Sequence, residues 1–301
     1  MFEWNKSIQR MINCVEENLT ETLTLEGLAE LLNYSPYYCT KQFHKYTGIS
    51  LRSYIHLRKL CSAVIDIRDS KERILDIALK YGFSSQEAFT RSFVKAYGIT
   101  PSSYRKMPKP LPLLIKRNTY DPYFLGLGEV AMKLDLSKDV KVSIQTLPEH
   151  RFIGVRNINA DNYFDFWTLQ ESIPGLDCHT VCGLLESIKS YNGQVGGWFY
   201  KDGRRGYLYG IEVPPDYNGE IPRGMECLQV PQSLYVIFHY PPYDYENTDM
   251  DVYGALQKML ESFNPKEYGY EYNNELPTYQ RHDPANFGQA FCRPIKLLLL
   301  K

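Results

Sequence analysis

LAELLNYSPYYCTKQFHKYTGISLRSYI at residues 28–55 and ALKYGFSSQEAFTRSFVKAYGITPSSYR at residues 78–105 repeat one pattern. Ala29 matches Ala78, Tyr34 matches Phe83 and Ser35 matches Ser84, each 49 positions apart. Phe43 then matches Phe93, Gly48 matches Gly98, Ile49 matches Ile99 and Tyr54 matches Tyr104, now 50 apart. One residue inserted in the second copy accounts for the shift, and the pairing marks an internal repeat.

Each copy reads as two helices joined by a short turn. Leu25, Leu28, Ala29, Leu31 and Leu32 recur at helical spacing, with Thr24 placed to cap them and Glu26 in the first turn. Small alanines at 29 and 78 allow a second helix to cross closely. Ser35-Pro36 is the expected pair for an N-cap and first helical residue, and Ser84 or Ser85 serves the second copy. The following helices turn Phe43 and Tyr46, or Phe89, Phe93 and Tyr97, inward and stop at Gly48 and Gly98. Two such helices form a helix-turn-helix, whose second helix can enter a DNA major groove. Between the copies, SLRSYIHLRKLCSAVIDIRDS (50–70) predicts one long helix that fixes their relative orientation, with Arg52, Arg58 and Lys59 on its exposed face.

Charge divides at the same place. Residues 1–117 hold 18 Lys+Arg against 11 Asp+Glu, a net of +7, and residues 118–301 hold 16 against 24, a net of −8. The basic half suits a polyanion and the acidic half does not. Seven cysteines, an odd number, argue for reduced thiols rather than a disulfide framework. Cys178, His179 and Cys182 contain no CxxC and have no second pair, so no metal is expected. No apolar run is long enough to span a membrane and MFEWNKSIQR lacks a signal-peptide core, which gives a cytoplasmic expectation.

The aromatic-Ser pair, Phe-x-x-x-Phe, Gly-hydrophobic-Thr-Pro and closing Tyr-Arg of the second copy, doubled by the first, resemble the DNA-binding domain of AraC/XylS-family transcription regulators. That resemblance covers about the first 107 residues. It implies base-edge contacts from Tyr37, Thr40 and Lys41 in the first reading helix and from Gln86, Glu87, Thr90 and Arg91 in the second. The chemistry agrees: Arg91 can engage guanine O6/N7, Gln86 adenine N6/N7, and Glu87 cytosine N4. Lys45, Lys95 and Arg105, at helix ends, fit phosphate contacts that set register.

Residues 106–118, KMPKPLPLLIKRN, carry three prolines and read as a semi-rigid linker. From about 139 short strands dominate. KVSIQTLP (141–148) and RFIGVRNI (151–158) alternate and suggest a hairpin or paired strands. DNYFDFWTLQESI (161–173) predicts a helix burying Phe164, Trp167 and Leu169, and VCGLLESI (181–188), GWFYK (197–201) and RGYLYGIEVP (205–214) look strand-like. MECLQVP, SLYVIFHYP, a helix from about 250 to 263, PTYQRH and GQAFCRPIKLLL make a second set. The expected fold is an all-α N-terminal domain (1–107) with two helix-turn-helix units joined by a long linker helix, a linker (108–138), and an α+β C-terminal domain (139–301) of duplicated strand-helix-strand modules.

KVSIQTLPEHRFIGVR, YLYGIEVP and LPTYQRHDPANFGQAFCRPIK resemble the GyrI-like effector domain of multidrug-responsive regulators. The resemblance implies a cleft between modules that binds hydrophobic, often cationic, small molecules on aromatic rings with a late-strand carboxylate. Tyr163, Trp167, Trp198, Tyr209 and Tyr240 supply candidate rings. The late carboxylate position holds Gln280, so a cation would need Glu186 or Glu226 instead, and a neutral or anionic ligand fits better.

The combined reading is a non-enzymatic, ligand-controlled transcription regulator. Its partners are double-stranded promoter DNA, a small hydrophobic effector and RNA polymerase, without a cofactor or membrane. Two alternatives stay open: a C-terminal ligand hydrolase, for which no Gly-x-Ser-x-Gly or ordered triad is found, and a ligand-free interaction platform.

Overall fold

The computed structural model describes residues 2–117, 119, 135–201 and 203–298. They form two compact units: residues up to 119 with Cys182–Ser187, and residues 135–181 with 188–298. Of the expected linker at 108–138, residues 118 and 120–134 lie outside the described residues.

The first unit opens with helix α1 (Phe2–Glu17), which the repeat does not announce. The first copy supplies α2 (Leu25–Glu30) and α3 (Pro36–Thr47), followed by the long α4 (Leu51–Asp69). The second copy supplies α5 (Ile74–Lys80), α6 (Gln86–Tyr97) and the short α7 (Pro101–Lys106). Caps set the boundaries. The Thr24 side chain accepts from the Gly27 amide, Ser35 from Tyr38 and Ser85 from Ala88, which leaves Ser84 as the inserted residue. Gly48 and Gly98 close α3 and α6 in left-handed backbone, at φ 71° and 72°, where a side chain would be strained. Ala29, Phe43, Tyr54, Ala78, Phe89, Phe93 and Tyr104 are buried together in one core.

Arg58 departs from the sequence reading. It is 7% exposed rather than solvent-facing. Its Nε and Nη2 each lie 2.9 Å from the Glu16 carboxylate, Tyr54 donates to the same carboxylate at 2.8 Å, and Nη1 donates to the Leu114 carbonyl. The cause is long-range: Glu16 comes from α1, 42 positions away. The proline-rich stretch lies against this core, with Leu111 and Leu113 buried and the Leu111 amide donating to Ser187 Oγ at 2.9 Å.

The second unit is built on strands β1 (Lys141–Leu147), β2 (His150–Asn157), β3 (Tyr191–Lys201), β4 (Arg204–Val213), β5 (Glu226–Val230), β6 (Ser233–Tyr240), β7 (Tyr270–Tyr272), β8 (Thr278–Asp283) and β9 (Gly288–Leu297). They pair antiparallel in the order β1-β6-β9-β8-β3-β4-β2-β5, a curled half-barrel with β7 added beside β9. Helices α8 (Tyr163–Gln170) and α9 (Cys178–Glu186) intervene between β2 and β3, and α10 (Tyr245–Ser262) follows β6.

Three expectations are corrected here. β1 and β2 do not form a hairpin: β1 pairs with β6, and β2 with β4 and β5. VCGLLESI is not a strand but most of α9, which begins where Asp177 accepts from the Thr180 amide at 3.0 Å. A β-carbon at Gly183 would fall 2.0 Å from the Leu113 carbonyl oxygen, so glycine is there for close approach. In α8 the buried residues are Phe166, Trp167 and Gln170, while Phe164 is half-buried and Leu169 exposed, because Phe166 and Gln170 share the inward face one turn apart.

The two ends of the sheet mirror each other, β3-β4-β2-β5 against β8-β9-β6-β1. Alternation along the strands gives two faces. One buries Phe152, Val195, Phe199, Leu208, Tyr235, Tyr279 and Cys292. On the other, α10 covers Val236, Phe238, Phe291 and Ile295, and α8 packs Phe166 and Trp167 against Tyr207 and Tyr209.

Candidate DNA interface and ligand cleft

On α3, Tyr37 is 76% exposed, and Lys41 and Lys45 are also exposed. The Thr40 hydroxyl turns back to its own helix, 2.9 Å from the Tyr37 carbonyl and 3.2 Å from that of Pro36. On α6, Gln86, Glu87, Arg91 and Lys95 are exposed and Thr90 is half-buried. A hydrogen bond from Ser85, reinforced by a helix amide and Arg91, holds the Glu87 carboxyl below the usual range. With N-caps aligned at Ser35 and Ser85, Tyr37 corresponds to Glu87, Thr40 to Thr90, Lys41 to Arg91 and Lys45 to Lys95. Each reading helix therefore presents a polar row of the same geometry and different chemistry. Arg105 is half-buried, with Nε 3.4 Å from the Ile67 carbonyl at the end of α4.

The seven candidate ligand residues separate. Tyr163, Trp167 and Tyr209 come together, with ring centroids of Trp167 and Tyr209 at 4.8 Å and of Tyr163 and Tyr209 at 6.0 Å. Gln280 lies in the same cross-strand row as Tyr209, since Gln280 pairs with Gly196 and Gly196 with Tyr209. The neighbouring row runs Gln289, His282, Gln194. Polar contacts link these rows: Tyr209 donates to Gln194, and Gln289 Nε2 lies 3.3 Å from Gln280 Oε1. Tyr243 reaches Gln289 at 3.1 Å and donates to Asp249, and His282 Nε2 lies 3.2 Å from Asp249. Trp198 stacks edge-on with Tyr207 at 5.6 Å and donates its indole N–H to the Asp161 carbonyl at 2.8 Å. Tyr240 packs on Tyr243 at 5.9 Å. Glu186 belongs to the Cys182–Ser187 stretch of the first unit, where its carbonyl accepts from Arg68 at 3.1 Å. Glu226 lies 3.7 Å from Arg156.

Sequence reasoning missed Glu212. This carboxylate is 1% exposed and bound in two-pronged fashion by Arg281, at 2.7 and 2.8 Å, with Tyr279 donating at 3.2 Å. Burial, then Cys292 and Glu212, push the Tyr279 phenol well above its ordinary value against the opposing effect of Arg281. The available signal was a lone glutamate inside the apolar run YLYGIEVP. Among the described residues no His/Cys/Asp/Glu group could hold a metal, and no helix is long and apolar enough to cross a membrane.

A profile described as a helix-turn-helix domain matches residues 28–107. Over 99 residues the chain is 41% identical to the transposon Tn10 TetD protein of Escherichia coli, covering 33% of this chain and 72% of that one. Transcriptional regulator Rob of Salmonella typhimurium is 25% identical over 299 residues, 96% of this chain and 98% of its own length. A crystal structure of an AraC-type DNA-binding-domain transcriptional regulator from Chromobacterium violaceum gives a TM-score of 0.32 at 24% identity, over 34% of this chain and 95% of that one. Two longer curated relatives are covered over only 36% and 45% of their length.

Proposed function

Because this chain belongs to the AraC family of helix-turn-helix transcription regulators, we propose that its two reading helices occupy successive major grooves and that a small molecule in the C-terminal unit controls them. The observation that carries the DNA reading is the matched pair of exposed rows on α3 and α6. Tyr37, Thr40 and Lys41 read one half-site; Gln86, Glu87, Thr90 and Arg91 read the other; Lys45 and Lys95 anchor phosphates. Arg105, in the last turn of α7, is the third phosphate contact of this reading. Footprinting should find two protected grooves about 34 Å apart on one duplex face. Arg91→Ala should cost about 1–3 kcal/mol at the preferred site and relax base choice there. Lys95→Ala should weaken all sequences alike and lower the salt slope by about one. Equal effects of both changes on preferred and random DNA would remove the assignment.

The sensor half of the proposal rests on the row joining Gln280 to the Tyr209–Trp167–Tyr163 rings. Aromatic faces beside amides and phenols suit a flat apolar molecule with hydrogen-bonding groups. The GyrI-like assignment, the division at 107 and 139, and an origin by duplication belong to this same reading, which the mirrored strand order supports. Contact with RNA polymerase follows from the regulator role. An interaction platform without a ligand is the second reading, and saturable quenching of Trp167 by an aromatic ligand would exclude it.

A further inference from the structure

Three rings sit together beside the first reading helix: Trp4 from α1, Tyr34 from the turn and Tyr38 from α3. Centroids are 4.8 Å apart for Trp4–Tyr34, 5.2 Å for Trp4–Tyr38 and 5.7 Å for Tyr34–Tyr38. Tyr34 and Tyr38 are exposed and Trp4 half-buried. Neither phenol hydroxyl nor the indole N–H has a hydrogen-bond partner among the described residues. The polar tips are left to meet an acceptor from outside the unit, water or a ligand.

The patch is continuous with the proposed DNA face. Tyr38 follows the exposed Tyr37 directly, and Lys41 lies one turn further along α3. Arg10, one cation of this neighbourhood, donates to the Leu31 carbonyl at 3.3 Å at the start of the same turn. The second copy lacks the device. There Phe83 replaces Tyr34 and packs on His56 and Phe89, and Ala88 replaces Tyr38. The first copy also offers no arginine on its reading helix, where the second offers Arg91.

We infer that Trp4, Tyr34 and Tyr38 form a neutral anchor for the DNA backbone, donating their indole N–H and phenol O–H groups to phosphate oxygens flanking the first half-site. The rings hold the donors rigid, and the phosphates receive hydrogen bonds without added positive charge. This inference rests on the DNA reading above and adds a surface that reading does not use.

The test compares the full-length chain with Tyr34→Phe/Tyr38→Phe and with Trp4→Phe/Tyr34→Phe/Tyr38→Phe. Fluorescence anisotropy would follow two labelled 30-bp duplexes, one of random sequence and one selected by the wild-type chain from a randomised pool. The double variant removes only hydroxyls and leaves the packing intact. Each lost neutral hydrogen bond should weaken binding about two- to tenfold, equally on both duplexes. The salt slope should not change, because no counterion-releasing charge is lost, whereas Lys45→Ala should lower it by about one. Unchanged affinity of both variants overturns the inference, as does a loss confined to the selected duplex, which would make these base readers. Failure of the wild-type chain to bind either duplex at low salt would remove the DNA reading itself, and the inference with it.

Discussion

Arg58→Met tests whether the orientation of the two reading units depends on one buried ion pair. The guanidinium makes two 2.9 Å bonds to Glu16 and a third to the Leu114 carbonyl, and it is 7% exposed. Methionine fills much of the same volume, so the main loss is electrostatic. It strands the Glu16 carboxylate, whose only remaining donor among these contacts is Tyr54, and it orphans a backbone carbonyl. Breaking one side of a buried pair costs about 3–5 kcal/mol, a large share of the roughly 5–15 kcal/mol that holds a domain folded. Replacing both partners, as Arg58→Met with Glu16→Leu, removes the stranded charge and should recover most of that loss. Hydrogen exchange of the central α4 amides in the full-length chain would read the opening free energy of each variant. A cost under about 1 kcal/mol for Arg58→Met would refute the reasoning, since a surface pair is worth no more. So would a double variant no more stable than the single.

Two further predictions address charge elsewhere. Gln280→Glu should shift the preference of the cleft toward hydrophobic cations, because a carboxylate in a partly desolvated site attracts them strongly; titration with a cationic dye, read by tryptophan fluorescence, checks this, and unchanged dye affinity would mean that Gln280 faces away from the ligand. His56 has a depressed pKa, from desolvation first and then from Lys95 and Arg52, so the folded state binds this proton less tightly than the unfolded state. Its contribution to stability is therefore full above the unfolded value of about 6.5 and falls as pH drops through it; urea midpoints at pH 7.5 and pH 5.5 should differ less in His56→Gln than in the wild type.

The helical half was legible because its information is local. Ser35-Pro36, Gly48 and Gly98 each specify a boundary through a cap or a fixed φ, and each does so in the structure, whereas α7, capped by Thr100 before Pro101, was not foreseen. What escaped was set by distant partners. Arg58 lies four residues after Tyr54 and three before Cys61, on the inward face of α4, and its charge alone suggested exposure; Glu16 in α1 supplies the distant partner that lets it be buried. The same holds in the sheet, where β1 and β2 adjoin in sequence but pair with residues 50 to 98 positions away. VCGLLESI misled for a compositional reason: eight mostly apolar residues are compatible with either a buried strand or a helix, and Asp177, the deciding cap, lies just outside them.

The register also decides what Glu212 can do. Tyr279 and Arg281, which both bind Glu212, occupy one face of β8, and Gln280 between them occupies the other, in the row shared with Tyr209. The most buried carboxylate of this sheet is therefore on the opposite side from the proposed cleft, and Arg281 already neutralises it. It cannot serve as a counter-ion beside Gln280. Glu226 faces Arg156. Asp249, beside the neighbouring row, already accepts from Tyr243 and lies 3.2 Å from His282. A cation bound over Gln280 would then meet amides and rings, with no unengaged carboxylate among these groups to offset its desolvation. On the proposed reading, neutral molecules carrying hydrogen-bonding groups are favoured over the cations for which a carboxylate at this position would select.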